Sequence, residues 1–303
     1  MKKILLSLAA TLMLLPAFAQ NELYIKAEGV VFKMIRVEGG TFTMGATPEQ
    51  VDAQEQDRPA HKVTLSTYYI GETEVTQELW NAVMANNPSH FAPTKSNAQC
   101  SYENFVLDAK RLSEAYPGMV RIPTREEWDA VMSPGRSMQQ PVEWVSWNDC
   151  QEFCRRLSLI TGKTFRLPTS AEWEYAARGG NKSKGYIYSG SNNPDDVAWY
   201  KDNAFDVGEG HRDYGTHPVK SKKPNELGIY DMSGNVLEWC SDWWENYTAK
   251  AETNPQGPAT GEWKVLRGGQ WGTYGREGRV SNRTNNHVGG KNDFTGLRIV
   301  LVP

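Results

Sequence analysis

The stretch of this chain with the least freedom is Arg166-Leu167-Pro168-Thr169-Ser170-Ala171-Glu172-Trp173. Thr169 followed three residues later by Glu172 is a capping box, in which the hydroxyl takes the N–H of the third helical residue and the carboxylate reaches back to the N–H of the cap. Trp173, Ala176 and Ala177 lie on the inner face of the helix it opens, and Gly179-Gly180 ends it. Just upstream, Ser146-Trp147-Asn148-Asp149 caps a second helix that runs to about Ile160 and stops at Gly162. This unit is present twice. Residues 102–135 align without a gap with 147–180, sharing Arg111/Arg156, Leu112/Leu157, Ser113/Ser158, Arg121/Arg166, Pro123/Pro168, Thr124/Thr169, Glu127/Glu172, Trp128/Trp173 and Gly135/Gly180. Two copies are too few for a solenoid. The first copy therefore reads as an insertion, about 92–140, packed on the side of one main domain spanning residues 20–303.

Residues 1–19 read as a signal peptide: Lys2 and Lys3 precede the apolar run Ile4 to Leu15, and Ala17-Phe18-Ala19 follows. That run is shorter than the ~20 apolar residues a membrane span needs. No cysteine follows it to carry a lipid anchor, so the expected location is secreted or periplasmic, with no membrane span after signal removal. A net charge of −3 gives no basic footprint and argues against nucleic-acid partners. Eleven tryptophans, 27 glycines and 16 prolines predict an aromatic interior and a backbone that turns often.

Strands are expected over Val31–Met44, where Met34–Val37 and Thr41–Met44 could form a hairpin, over Lys62–Ile70, and over Lys264–Arg267 and Leu297–Val300. Ala46 to His61 reads as a surface loop, and Thr76 as the cap of a helix from Gln77 to Met84. Cys100, Cys150, Cys154 and Cys240 could be bridged or free. Cys150 and Cys154, four apart on a helix, are poorly placed to bridge each other. Cys154 and Cys240, flanked by aromatics, read equally well as small buried hydrophobes.

Six segments occur in one order: Gly40-Thr41-Phe42-Thr43-Met44-Gly45, Glu74-Val75-Thr76, Pro141 to Trp147, Arg166 to Gly180, Asn225 to Trp239, and Arg267-Gly268-Gly269. In these segments the chain resembles the formylglycine-generating enzymes, the sulfatase-modifying-factor family. The resemblance runs from about residue 28 to the C terminus. It implies an α+β fold, C-type-lectin-like and poor in regular structure, here with the duplicated helix-strand-helix insertion.

The resemblance also implies a chemistry that this chain lacks the residues for. Family members that make formylglycine hold copper through two cysteines beyond the Arg-Gly-Gly motif, because paired thiolates suit a soft Cu(I) ion. The matching positions are Thr273 and Gly278, and no cysteine follows Cys240, so copper is not expected. The family's structural calcium is implied at Asp231, Gly234, Val236 and Glu238, two carboxylates and two backbone carbonyls that suit a hard cation. His61, His90, His211, His217 and His287 form no i, i+4 ligand pair.

The surface that holds copper in the catalytic members reads here as Gln270, Trp271, Thr273, Tyr274, Arg276, Arg279, Asn282, Arg283, Asn286 and His287. Arginine forks and amides direct hydrogen bonds while aromatic faces stack, a mixture suited to a peptide, protein or glycan; the alternative reading makes Arg279 and Arg283 buried structural salt-bridge partners, and for Arg283 it has equal standing because the family carries an arginine there. The leading expectation is a non-catalytic, secreted or periplasmic binding module. Alternatives are a structural subunit of an envelope or secretion assembly, and an enzyme with relocated chemistry.

Overall fold

The computed structural model describes residues 20–302 except 51, 94–136 and 210. Residues 1–19, read above as a signal peptide, Cys100 and the first copy of the duplicated unit lie outside the described residues.

The strands are short and fall into several sheets. β1 (Glu22–Ala27) and β2 (Val30–Val37) form a hairpin across Glu28 and Gly29, both with positive φ (46° and 90°), as a tight two-residue hairpin turn requires. β2 continues to β5 (Tyr68–Gly71), which pairs with β14 (Val300–Leu301) and through it with β6 (Phe165–Arg166), closing a five-stranded sheet. β3 (Gly40–Met44) pairs instead with β4 (His61–Leu65) and, beyond it, with β10 (Glu252–Thr253). The expected hairpin of Met34–Val37 with Thr41–Met44 therefore does not form, because the two strands belong to different sheets. Gly39 makes the crossing: a Cβ there would lie 2.6 Å from the Leu65 carbonyl oxygen, so only glycine lets the backbones approach. β1 was not anticipated, and the last strand begins at Val300 rather than Leu297. The Leu297 and Ile299 carbonyls accept from Val75 and Gly71 N–H groups outside any ladder that includes Leu297.

The helices follow the caps. α1 (Gln77–Met84) starts at Thr76, whose hydroxyl accepts from the Leu79 N–H, and α2 (Trp147–Thr161) starts at the Ser146/Asp149 box. α3 (Ser170–Ala177) opens with the reciprocal pair: Thr169 Oγ1 accepts from the Glu172 N–H at 3.1 Å, and Glu172 Oε2 from the Thr169 N–H at 2.8 Å. Every residue of α3 is buried, which places it between the sheets rather than on the outside.

A two-stranded parallel sheet pairs β7 (Ala198–Trp199) with β8 (Ser233–Gly234), and a four-stranded sheet carries the candidate site. β11 (Trp263–Arg267) runs antiparallel to β9 (Leu237–Trp243) and to β12 (Arg283–His287), and β13 (Thr295–Gly296) adds parallel to β9. The described core forms three clusters, one around the stacked Trp80 and Phe153 rings, one around Trp173, Tyr175 and Val265, and a small one of Phe91, Ala204 and Trp271. Cys150 and Cys154 lie in the first and Cys240 in the second, all three as free thiols. Burial pushes the Cys154 thiol up to about 12. Among the described residues no helix is long and apolar enough to cross a membrane.

Candidate binding groove

The Arg267-Gly268-Gly269 turn positions the site. Both glycines have positive φ (99° and 71°), and a Cβ on Gly269 would meet the Glu277 carbonyl oxygen at 2.9 Å. The chain then folds back: Thr273 Oγ1 accepts from the Gln270 N–H at 3.0 Å and donates to the Gln270 carbonyl at 2.9 Å. A 3-10 turn over Gly275–Gly278 follows, its start closed by Glu277 Oε2, which accepts from the Tyr274 N–H at 3.0 Å. Arg267 anchors the return. Its guanidinium, wholly buried, pairs with Glu174 and donates to the carbonyls of Ser281 (3.0 Å) and Asn282 (2.8 Å), holding the loop that presents Asn282.

These elements enclose a cavity of about 260 Å3. Four of the ten residues expected at a ligand surface line it: Gln270, Thr273, Asn282 and Arg283. Tyr274 and Arg276 are outside the lining, next in sequence to Thr273 and Glu277; both are more than half exposed, with the Arg276 guanidinium 5.1 Å from the Tyr274 ring. The other four are elsewhere. Trp271 is 4 % exposed, donates to the Asp293 carbonyl and packs with Phe91, Phe205 and Tyr214. Arg279 is buried, and its desolvated guanidinium is pushed below its usual value. Asn286 and His287 lie at the far end of β12, opposite Lys264 and Trp263.

Sequence reasoning missed Gln54 and Gln56, which come from the segment read as a plain surface loop and complete the lining. Gln56 Nε2 donates to the Arg283 carbonyl at 2.7 Å, and Arg283 Nε donates back to the Gln56 carbonyl at 2.8 Å. No local signal marks a contact across 227 residues of chain. Trp244 and Tyr247 were missed likewise. The Arg283 guanidinium lies 4.4 Å and 3.5 Å from their ring centres, and it also borders a second, smaller cavity of about 70 Å3 beside Asp242 and Tyr247.

Two polar atoms here are out of the ordinary. Asn282 Nδ2 and Arg283 Nη2 are buried and donate to nothing among the described residues, although such groups are almost always paired. A cavity of similar size at the edge of β2 and β5, about 250 Å3, differs in this respect: its Glu72 pairs with both Lys33 and Lys220.

The residues present do not fit copper. Thr273 offers a hydroxyl already engaged with Gln270, Gly278 offers no side chain, and the described thiols are buried in the core. The calcium set fits only in part. Glu238 is wholly buried: Oε1 accepts from Arg298 Nη2 at 2.8 Å, and Oε2 from Arg298 Nε at 3.0 Å and Trp173 Nε1 at 2.6 Å. Arg298 thus supplies the positive charge, and calcium could reach Glu238 only by displacing it. Asp231 Oδ2 accepts from the Lys220 N–H, which leaves its second oxygen and the Gly234 and Val236 carbonyls as the groups able to meet a cation. Burial pushes the Asp231 carboxyl up, and burial together with the Asp231 and Glu238 charges pushes Glu74 up as well.

A glycine-crossed, capped α+β scaffold with few helices and a site beside an Arg-Gly-Gly turn defines a fold class, and the comparisons place the chain within it. The model of the sulfatase-modifying factor enzyme 1-like domain matches residues 21–302, and the chain belongs to that family. It is 31% identical to the chaperone protein LppX of Paenibacillus barcinonensis, over 88% of each chain. To the formylglycine-generating enzyme of Streptomyces coelicolor it is 32% identical, over 87% of each. Among solved structures it superposes on the Treponema denticola variable protein 1 with a TM-score of 0.69 at 30% identity, covering 93% of this chain and 99% of that one.

Proposed function

We propose that this chain is a secreted or periplasmic, non-catalytic member of its family that binds a polypeptide in the cavity beside the Arg-Gly-Gly turn. The observation that carries the reading is the lining of that cavity: Gln54, Gln56, Gln270 and Asn282 line it together with Thr273, one of the two positions where the family's copper chemistry would need a thiolate. Carboxamides present a donor and an acceptor side by side, the pattern that complements a peptide group. The Paenibacillus barcinonensis relative is a chaperone protein by name, and a peptide ligand agrees with that better than a glycan does. Tyr274, exposed and next in sequence to the lining residue Thr273, adds a flat face against which a side chain can lie.

The test is to load the purified protein with Cu(I), supply oxygen and a cysteine-containing peptide of the sulfatase type, and follow the peptide by mass spectrometry. The peptide mass is expected to stay unchanged while immobilised peptide is retained. Conversion of the thiol to an aldehyde overturns the non-catalytic reading.

A further inference from the structure

We propose that Asn282 and Arg283 form a carboxylate subsite of this cavity, seating an acidic side chain or the C-terminal carboxylate of a bound peptide; the inference rests on the binding-module reading above. Arg283 is 2 % exposed, yet its guanidinium makes no ion pair among the described residues. The neighbouring acids are already engaged. Glu174 is shared by Arg178 and Arg267, and the Asp57 oxygens accept from backbone N–H groups, Oδ2 from Gln54 and Oδ1 from Arg283 itself. A buried charge without a partner is costly, and Arg283 lines this cavity as well as the smaller one beside Tyr247. Asn282, 4 % exposed and with its Nδ2 unpaired, is another residue of the same lining.

The fork is held in place, and a carboxylate reaches the sealed Arg283 Nη2 and Asn282 Nδ2 by parting the groups that cover them. Tyr247 and Trp244 lie against the guanidinium and Gln56 holds its Nε, so the plane of the fork is set before any ligand arrives. A planar guanidinium beside an amide donor is suited to a carboxylate, whose two oxygens accept only. The one acid in the lining, Glu277, is engaged by the Tyr274 N–H and Arg276. The volume favours a peptide over an anionic sugar chain: about 260 Å3 falls below the roughly 300–1,000 Å3 of pockets that enclose drug-sized ligands, leaving room for one or two side chains.

The experiment uses the full mature chain and two probes. Glutarate and its uncharged isostere glutaramide are titrated while the arginine Nε–H resonances are followed by NMR. Immobilised hexapeptide libraries are then compared in four forms: with Asp and Glu or with Asn and Gln, each with a free or an amidated C terminus. Glutarate is expected to shift one arginine resonance and glutaramide none, and carboxylate-bearing libraries to be retained at least ten-fold more than their isosteres. Preference that survives amidation assigns the side chain; preference lost with it assigns the terminus. Asn282→Asp, which puts a negative charge where the carboxylate would sit, and Arg283→Lys, which loses the fork, should each abolish the preference while near-UV circular dichroism stays native. Equal retention of acidic and amide libraries, with glutarate silent, overturns the subsite and leaves the binding-module reading standing. Glutarate binding with no library retained supports the subsite and overturns the peptide reading, as does stronger retention of a hyaluronan oligosaccharide. Silence from both probes overturns both.

Discussion

Two arginines from neighbouring parts of the C-terminal region have opposite fates. Arg298 is fully buried and fully answered, with Glu238 across its fork and the carbonyls of Gly71 (3.0 Å) and Tyr230 (2.8 Å) on its outer nitrogens. Arg283 is also buried, at 2 % exposure, but it is stacked on rings and has one nitrogen unanswered. A charge that the fold satisfies belongs to the scaffold. One left unsatisfied at a cavity wall is a place where the fold waits for something else.

The contrast is broken most directly by truncating each arginine. Arg298→Met leaves Glu238 charged and buried beside Glu74 and Asp231, and unfolding in urea is expected to show a loss of about 3–5 kcal/mol. Arg283→Met strands no carboxylate, so its loss is expected to be about 1 kcal/mol, the scale of its hydrogen bond to Gln56. Equal losses would show that Arg283 is an ordinary structural residue and that the unanswered nitrogen has no functional meaning.

A second measurement asks whether unsatisfied charge near the groove is felt as a dependence on pH. Asp242, buried beside the smaller cavity, has its carboxyl pushed up to about 6 by desolvation, against the pull of the Ser170 N–H on its Oδ2. The folded value lies above the unfolded one, so the folded state holds an extra proton between about pH 4 and 6. Stability from this group therefore falls as pH rises through that window and is level above about pH 7. Asp242→Asn keeps an acceptor for Ser170 and removes the titration. Its stability relative to wild type is expected to improve by roughly 2 kcal/mol between pH 4.5 and 7. A constant difference across that range would mean the carboxyl is not desolvated as the geometry implies.

These two regions were unequally legible in the sequence. The capped helices were, because Thr76, Ser146 and Thr169 act on N–H groups within three residues, and α1 and α3 have the bounds those caps predict. Strand pairing was not: Met34–Val37 and Thr41–Met44 alternate as a hairpin would, and only the approach of Leu65 to Gly39 decides that they part. The site was half legible for the same reason. Gln270, Thr273, Asn282 and Arg283 follow within seventeen residues of Arg267 and could be found from that turn, whereas Gln54 and Gln56 arrive by tertiary packing. Trp271 and Arg279 sit among them in sequence but turn into the core, since a 3-10 turn and a reverse turn rotate neighbours to different sides.

The smallest expected effect concerns calcium, and it sharpens the comparison from the satisfied side. Were the cation the keystone of the Asp231 to Glu238 segment, Glu238 would offer it an oxygen; instead Arg298 and Trp173 hold both. What remains is one Asp231 oxygen and two carbonyls, fewer than the six to eight oxygens calcium gathers, so water would have to supply the rest. A site so thin and so close to a guanidinium adds little to the folded state. The melting temperature in millimolar calcium is therefore expected to exceed that in EDTA by less than about 1 °C, on the order of 0.5 kcal/mol or less for a chain of this size. A rise of several degrees would mean that Arg298 yields Glu238 to the ion, and the same titration on Arg298→Met would then show the larger gain.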